Sequence, residues 1–171
     1  AAAESLDLGE QRFDVALYAL GLMYVPDPVV ALARMRAHVK PGGRVAAAVW
    51  GARANCGWAE IFPIVDSRVE SDVCPMFFAL GSGDALRIAF EQAGLARVAV
   101  ERISVTLEYR DAEAALGAAF AGGPVALAYA RFDEATRAAA HAEYLASIES
   151  HRHDDGYRIP GEFVVAVAEV D

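Results

Sequence analysis

The 171-residue sequence predicts an α/β fold. A four-stranded mixed sheet, strands 13–20, 44–50, 96–107 and 162–170, carries helices on both faces and an added helical region at 111–150. Three observations support this. The first two strand candidates, 13–20 and 44–50, are nearly continuous apolar runs, as suits strands covered on both faces. A strand–helix–strand unit runs from Phe13 to Trp50, long enough for a right-handed parallel crossover. Elements then continue in the order β-α-β-α-α-β-α-α-β, without internal repeats or low-complexity linkers.

The first strand is nearly all apolar after Asp14. Gly21 to Asp27 forms a loop. Asp27 is the N-cap candidate of the next helix, and Pro28 occupies its first turn. Leu32, Met35 and Val39 form its apolar stripe, and Pro41-Gly42-Gly43 supplies a stop. Val45 to Trp50 is the second strand. Trp58 to Val69 reads as a helix, and Met76-Phe77-Phe78 as part of a lid. A helix through Gln92 buries Leu86, Ile88 and Phe90 and ends at Gly94. Alternation at Val98, Val100, Ile103, Val105 and Leu107 marks the third strand, interrupted by Glu101 and Glu108. Short helices in 111–130 break at Gly122-Gly123-Pro124. Asp133 caps the most regular helix, through Ser150. His151 to Gly156 is a polar turn, and Glu162 opens the last strand. Residues 1–171 read as one domain, with 111–155 a helical insertion on the substrate side.

Composition excludes several classes. An apolar fraction of 56% rules out global disorder. Fifteen basic against 24 acidic side chains, net charge −9, leave no basic footprint for nucleic acid. No stretch of twenty uninterrupted apolar residues suggests a membrane span, and no signal peptide is visible. A cytoplasmic chain is expected. Cys56 and Cys74 are too few for a disulfide scaffold and lie in no metal or nucleophile motif. His151 and His153, beside Asp154 and Asp155, lack zinc-ligand spacing, so no metal is expected. His38 reads as structural near a helix C-terminus, and His141 as solvent-facing.

The string FDVALYALGLMYVPDPVVALARMRAHVKPGGRVAAAVWG, Phe13–Gly51, resembles class I S-adenosylmethionine-dependent methyltransferases of the ubiquinone/menaquinone-biosynthesis-like small-molecule group. Phe-Asp-Val resembles the opening of the family's fourth strand, Val-Pro-Asp-Pro its next helix start, and Lys40-Pro41-Gly42-Gly43 the approach to its fifth strand. Gly156 to Phe163 resembles the turn into the seventh. The glycine-rich turn after the family's first strand is absent, as is the acidic residue that ends its second. Ala2 falls where the family usually has aspartate near the adenine. The resemblance therefore implies a truncated Rossmann-like methyltransferase fold, matching only the part from just before the fourth strand to the C-terminus. It implies that the last strand inserts antiparallel between the second and third strands present.

By that resemblance, Ala19, Leu20, Gly21 and Leu22, at a strand's carboxyl end, contact the cofactor. Met23, Tyr24, Trp50, Trp58, Tyr157 and Arg158 face the methyl acceptor, with packing the competing role for Met23 and Trp50. No catalytic base stands out, and methyl transfer needs little beyond alignment and shielding from water. S-adenosylmethionine is expected as cofactor if the missing N-terminal half is supplied, and otherwise none. The function expected is a small-molecule methyltransferase or its C-terminal fragment, with the isolated chain inactive for want of the glycine turn. The alternative is a non-catalytic remnant acting as a dimer or partner-binding module. An apolar first strand left at the sheet edge predicts a homodimer, or a complex with an upstream N-terminal fragment, through residues near 13–20 and 28–39.

Overall fold

A computed structural model describes residues 3–5, 7–69 and 76–171. Ala2 and Cys74 lie outside the described residues. The strands are β1 (Phe13–Ala19), β2 (Val39–Trp50), β3 (Ala99–Tyr109), β4 (Arg152–His153) and β5 (Gly156–Glu169). They form one five-stranded sheet of order β1-β2-β5-β3, with β4 on β5. β1 pairs with β2 in parallel, and β2 with β5 antiparallel. The last strand thus inserts where the sequence placed it. The truncated four-stranded sheet is corrected to five strands. The added strand arises because Asp154 takes φ +52, and the chain folds back to pair Arg152 with Tyr157 and His153 with Gly156. Gly156 is required there: a Cβ would lie 2.0 Å from the Tyr109 carbonyl oxygen.

The chain divides into two compact units. The first comprises Ala1–Ala52, Met76–Ile103 and Glu162–Asp171. Its core forms where α1 (Pro28–Ala37) and α3 (Ala85–Gln92) pack together and α1 packs on β2. The Asp27 carboxylate accepts the Val30 N–H at 3.0 Å, and Pro28 needs no intrahelical donor, so α1 starts where the sequence dictates. It buries Ala31, Leu32 and Met35. Val45, Ala47 and Val49 of β2 and Val164, Ala166 and Ala168 of β5 share one fully buried face. Ala46, Ala48, Trp50, Phe163, Val165 and Val167, on the other face, are half-buried. Gly94, φ +80, ends α3, and the Leu95 N–H reaches back to the Phe90 carbonyl.

Three strands differ in bounds from the sequence reading, β3 running Ala99–Tyr109 where 96–107 was expected. β2 begins at Val39, not residue 44, because Pro41-Gly42-Gly43 is absorbed as an irregularity in the β1–β2 register and does not close a helix. Gly42 reaches φ +77, its N–H donates to Val170, and the Gly43 carbonyl accepts from Val170. β5 begins at Gly156, not residue 162, as the continuation of the hairpin. His38 caps α1 and is 8% exposed. Its Nε2 accepts the Leu8 N–H, which puts the ring proton on Nδ1, facing the Gln11 carbonyl.

The second unit comprises Arg53–Pro75 and Ser104–Gly161. α2 (Ile61–Asp66) buries Ile61, Phe62, Ile64 and Val65 and packs on α6 (Glu134–Ser147). An Arg68–Glu143 ion pair at 2.7 Å links the same region. Asp111 caps α4 (Ala112–Leu116) through the Ala114 N–H, and Asp133 caps α6 through that of Thr136. A π-helical turn, Gly117–Ala121, follows α4, and α5 (Ala126–Tyr129) follows the Gly-Gly-Pro break. Phe120 is buried among Tyr129, His141 and Tyr144. His141 was expected to face solvent. It is half-buried instead, stacked on Tyr129 with 2.9 Å between Nε2 and the phenol oxygen. Burial and the Arg137 charge hold its pKa below the ordinary histidine range.

Candidate functional site

In the first unit the parallel strands β1 and β2 end side by side, and that edge is where α/β sheets receive ligands. Ala19 and Leu20 are exposed there. Leu20 has φ +53, a left-handed conformation that leucine rarely adopts, and its N–H is tied to the Ala48 carbonyl at 2.8 Å. The turn then passes through Gly21. A Cβ there would meet the Tyr18 ring at 2.5 Å, so any larger residue would have to displace that ring. The short 3₁₀ helix Leu22–Tyr24 buries Leu22 and Met23 completely. Their side chains belong to the core, and only their backbone is available at this edge. Tyr24 stays 47% exposed, with its ring edge-on to Phe77 at 5.6 Å. Partial burial raises its phenol pKa.

β2 ends at Trp50, whose ring packs on that of Phe163, directly opposite on β5, at 4.3 Å. The next backbone groups meet Glu162. Its carbonyl accepts the Gly51 N–H at 2.7 Å, and its side-chain Oε2 accepts the Ala52 N–H at 3.2 Å and Arg102 Nη1 at 2.8 Å. The other Arg102 nitrogen, Nη2, donates to the carbonyls of Gly81 and Gly83. Glu162 is 8% exposed. The sequence reading missed this pair. Its one signal was charge inside apolar strands, an arginine in the third and a glutamate opening the last. A buried carboxylate calls for a cation or several donors.

The remaining candidates lie in the second unit. Trp58 is half-buried, its ring 6.1 Å from that of Phe62. Tyr157 is buried, with the Arg152 guanidinium 6.0 Å over its ring. Arg158 is ion-paired with Glu108 at 3.0 Å. Both line an open cleft of about 650 Å³ whose walls include Tyr109, Arg110 and His153. Burial raises the Tyr109 phenol pKa. Among the described residues no group of three His, Cys, Asp or Glu side chains is placed to hold a metal ion, and no helix is long and apolar enough to cross a membrane.

Residues 1–47 match a family model described as a methyltransferase domain. No curated protein matches the chain. Among solved structures, the chain resembles a protein from Bacillus halodurans described as a methyltransferase. Identity is 12%, over 99% of this chain and 75% of that one, with a TM-score of 0.53. An Anabaena variabilis protein, described as a methyltransferase from an antibiotic biosynthesis pathway, is 16% identical over 95% and 70% of the two chains, with a TM-score of 0.54. Phosphoethanolamine N-methyltransferase 2 of Haemonchus contortus, solved with phosphomonomethylethanolamine and S-adenosylhomocysteine, is 14% identical. That match covers 99% of this chain and 36% of the enzyme, with a TM-score of 0.51.

These findings correct three expectations. A likeness only to the family's part from just before its fourth strand to the C-terminus was expected; the likeness found runs over 99% of this chain and 75% of the Bacillus halodurans protein. S-adenosylmethionine binding is accordingly not made conditional on a further N-terminal half. The expected homodimer, or complex with an upstream fragment, finds no support in these likenesses and is withdrawn. The fold is that of the S-adenosylmethionine-dependent methyltransferases.

Proposed function

We propose that the chain is an S-adenosylmethionine-dependent methyltransferase acting on a small molecule. The observation that carries this reading is the end of β1. A strained Leu20 and a Cβ-free Gly21 present backbone at the C-terminal edge of a parallel strand pair, inside a methyltransferase-like fold. Strain of this kind persists only where the surroundings over-determine it, and it concentrates at ligand sites. The surfaces offered by Ala19 and Leu20 are apolar side chains and backbone, which suits a ligand whose reactive centre sits beside a thioether-like stem. Ala19, Leu20, Gly21 and the backbone of Leu22 would hold that stem. S-adenosylmethionine, when bound, supplies an electrophilic methyl group.

The chain's part is then to align an acceptor and exclude water. Tyr24 and Trp50 offer aromatic surface for that role at the same edge of the first unit. Met23, 3% exposed, belongs to the core, so its side chain is not offered to an acceptor. In the second unit Trp58, Tyr157 and Arg158 remain acceptor-side candidates, the last two in the cleft beside Tyr109.

Calorimetric titration with S-adenosylhomocysteine tests the reading. Saturable binding is expected, and it should weaken in Gly21→Val, whose side chain collides with the Tyr18 ring. Absence of saturation at millimolar ligand would overturn it.

A further inference from the structure

We propose that the Glu162–Arg102 ion pair is a positioning clamp for this site. It holds the chain leaving β2, Trp50–Ala52, and the turn Gly81–Gly83 in the arrangement a ligand meets. The inference rests on the cofactor-site reading above and adds residues that reading does not use.

One carboxylate and one guanidinium fix three backbone groups, and the Glu162 carbonyl holds a fourth. Glu162 takes the Ala52 N–H on its side chain and the Gly51 N–H on its backbone carbonyl. Arg102 takes the Gly81 and Gly83 carbonyls. The two are joined at 2.8 Å. The backbone around them leaves no slack. A Cβ on Gly51 would lie 2.1 Å from Glu162 Oε2, and one on Gly81 would lie 2.0 Å from the Trp50 carbonyl oxygen. The segment entering Gly81 carries Phe77, which touches Tyr24. The pair therefore links the end of β2, through the 77–83 segment, to the aromatic side of the β1 turn.

Energetics favour positioning over stability as its role. The carboxylate is buried but the guanidinium is 37% exposed, so solvent screens the pair and its attraction adds little to stability. What such a pair provides is a unique geometry. Here that geometry belongs to backbone at the ligand-binding edge of the sheet.

The test uses the full chain carrying Trp58→Phe, so that Trp50 is the sole tryptophan. Acrylamide quenching of Trp50 reports the mobility of the strand end, and calorimetric titration with S-adenosylhomocysteine reports the site. In Glu162→Gln, quenching should rise and affinity should fall about tenfold, the scale of one charge-assisted hydrogen bond. Arg102→Met should do the same, and Arg102→Lys should recover most of both. If Glu162→Gln fails to fold, the Arg102 variants, whose side chain is partly exposed, decide the matter. Unchanged quenching and affinity would overturn the clamp, and so would either change without the other. If the unsubstituted chain does not bind S-adenosylhomocysteine, the cofactor reading fails, and quenching alone judges the clamp.

Discussion

Gly81→Ala is the substitution whose cost the structure fixes most directly. The new Cβ would stand 2.0 Å from the Trp50 carbonyl oxygen and 2.6 Å from the Gly51 carbonyl carbon and oxygen. Ordinary contact begins at 3.4 Å, so one segment must retreat by about 1.4 Å. All three obstructing atoms are backbone, and no rotamer change can clear them. Overpacking of this kind costs about 1–3 kcal/mol and occasionally more. The Gly81 carbonyl also accepts from Arg102, and a retreat lengthens that charge-assisted bond. The upper end, about 3 kcal/mol, is therefore expected. For a chain of this length that lowers the melting temperature by about 6–12 °C. Gly83→Ala, two residues on, is the control. Nothing lies within 4 Å of its Cβ, and φ +52 is its only penalty, about 1 kcal/mol. Thermal and urea unfolding followed by circular dichroism measure both. A Gly81→Ala protein that melts with the parent, or no lower than Gly83→Ala, would refute the steric reasoning.

Gly117→Ala should act in the opposite direction. Gly117 has helical dihedrals and open space around its Cβ, so alanine should add about 0.5–1 kcal/mol in urea unfolding. Leu20→Gly relieves a left-handed leucine and should raise the melting temperature, while weakening S-adenosylhomocysteine binding in the same titration. The pKa of the Asp133 carboxyl lies below the ordinary aspartate range because hydrogen bonds from the Thr136 side chain and then from its N–H favour the carboxylate. Its contribution is complete above the unfolded-state aspartate pKa and is lost as pH falls through the folded value. Asp133→Asn should therefore flatten the acid limb of a stability–pH profile. The His141 pKa is also depressed, so the unfolded chain binds its proton first and stability should decline as pH drops below the unfolded value of about 6.5. His141→Gln should remove that decline, as read from melting temperatures across pH 5–7.

The sequence was most legible where local chemistry decides. Asp27-Pro28 and Asp133 started their helices as N-caps do, and an unbroken apolar run made β1 and β2 neighbours. The antiparallel insertion of the last strand followed from the family resemblance. Boundaries failed where tertiary pairing overruled local signals. Pro41-Gly42-Gly43 carries turn residues, yet its free groups find Val170 and stay in the sheet. β4 has two residues and no pattern of its own; the hairpin that makes it depends on Gly156 fitting against Tyr109. At the candidate site, the strand-end residues were visible because apolar strands have ends. Glu162 and Arg102 were not, since their pairing spans sixty positions and leaves no local periodicity. Leu22 and Met23 follow the strand end, but their side chains turn inward to fill the core.

β1 both delivers Ala19 and Leu20 to the candidate site and forms the outer margin of the sheet. Among the described residues no strand pairs with its outer side, and Val15 and Leu17 are 59% and 66% exposed. Asp14, paired with Lys40 at 2.8 Å, is the strand's only charge. The geometry of the candidate site and the chain's colloidal behaviour thus meet in the same seven-residue strand. A charge placed at Leu17 to discourage aggregation stands two residues from the exposed strand end. Solubility engineering of this chain is therefore also site engineering, and any gain in shelf life has to be read beside the ligand titration.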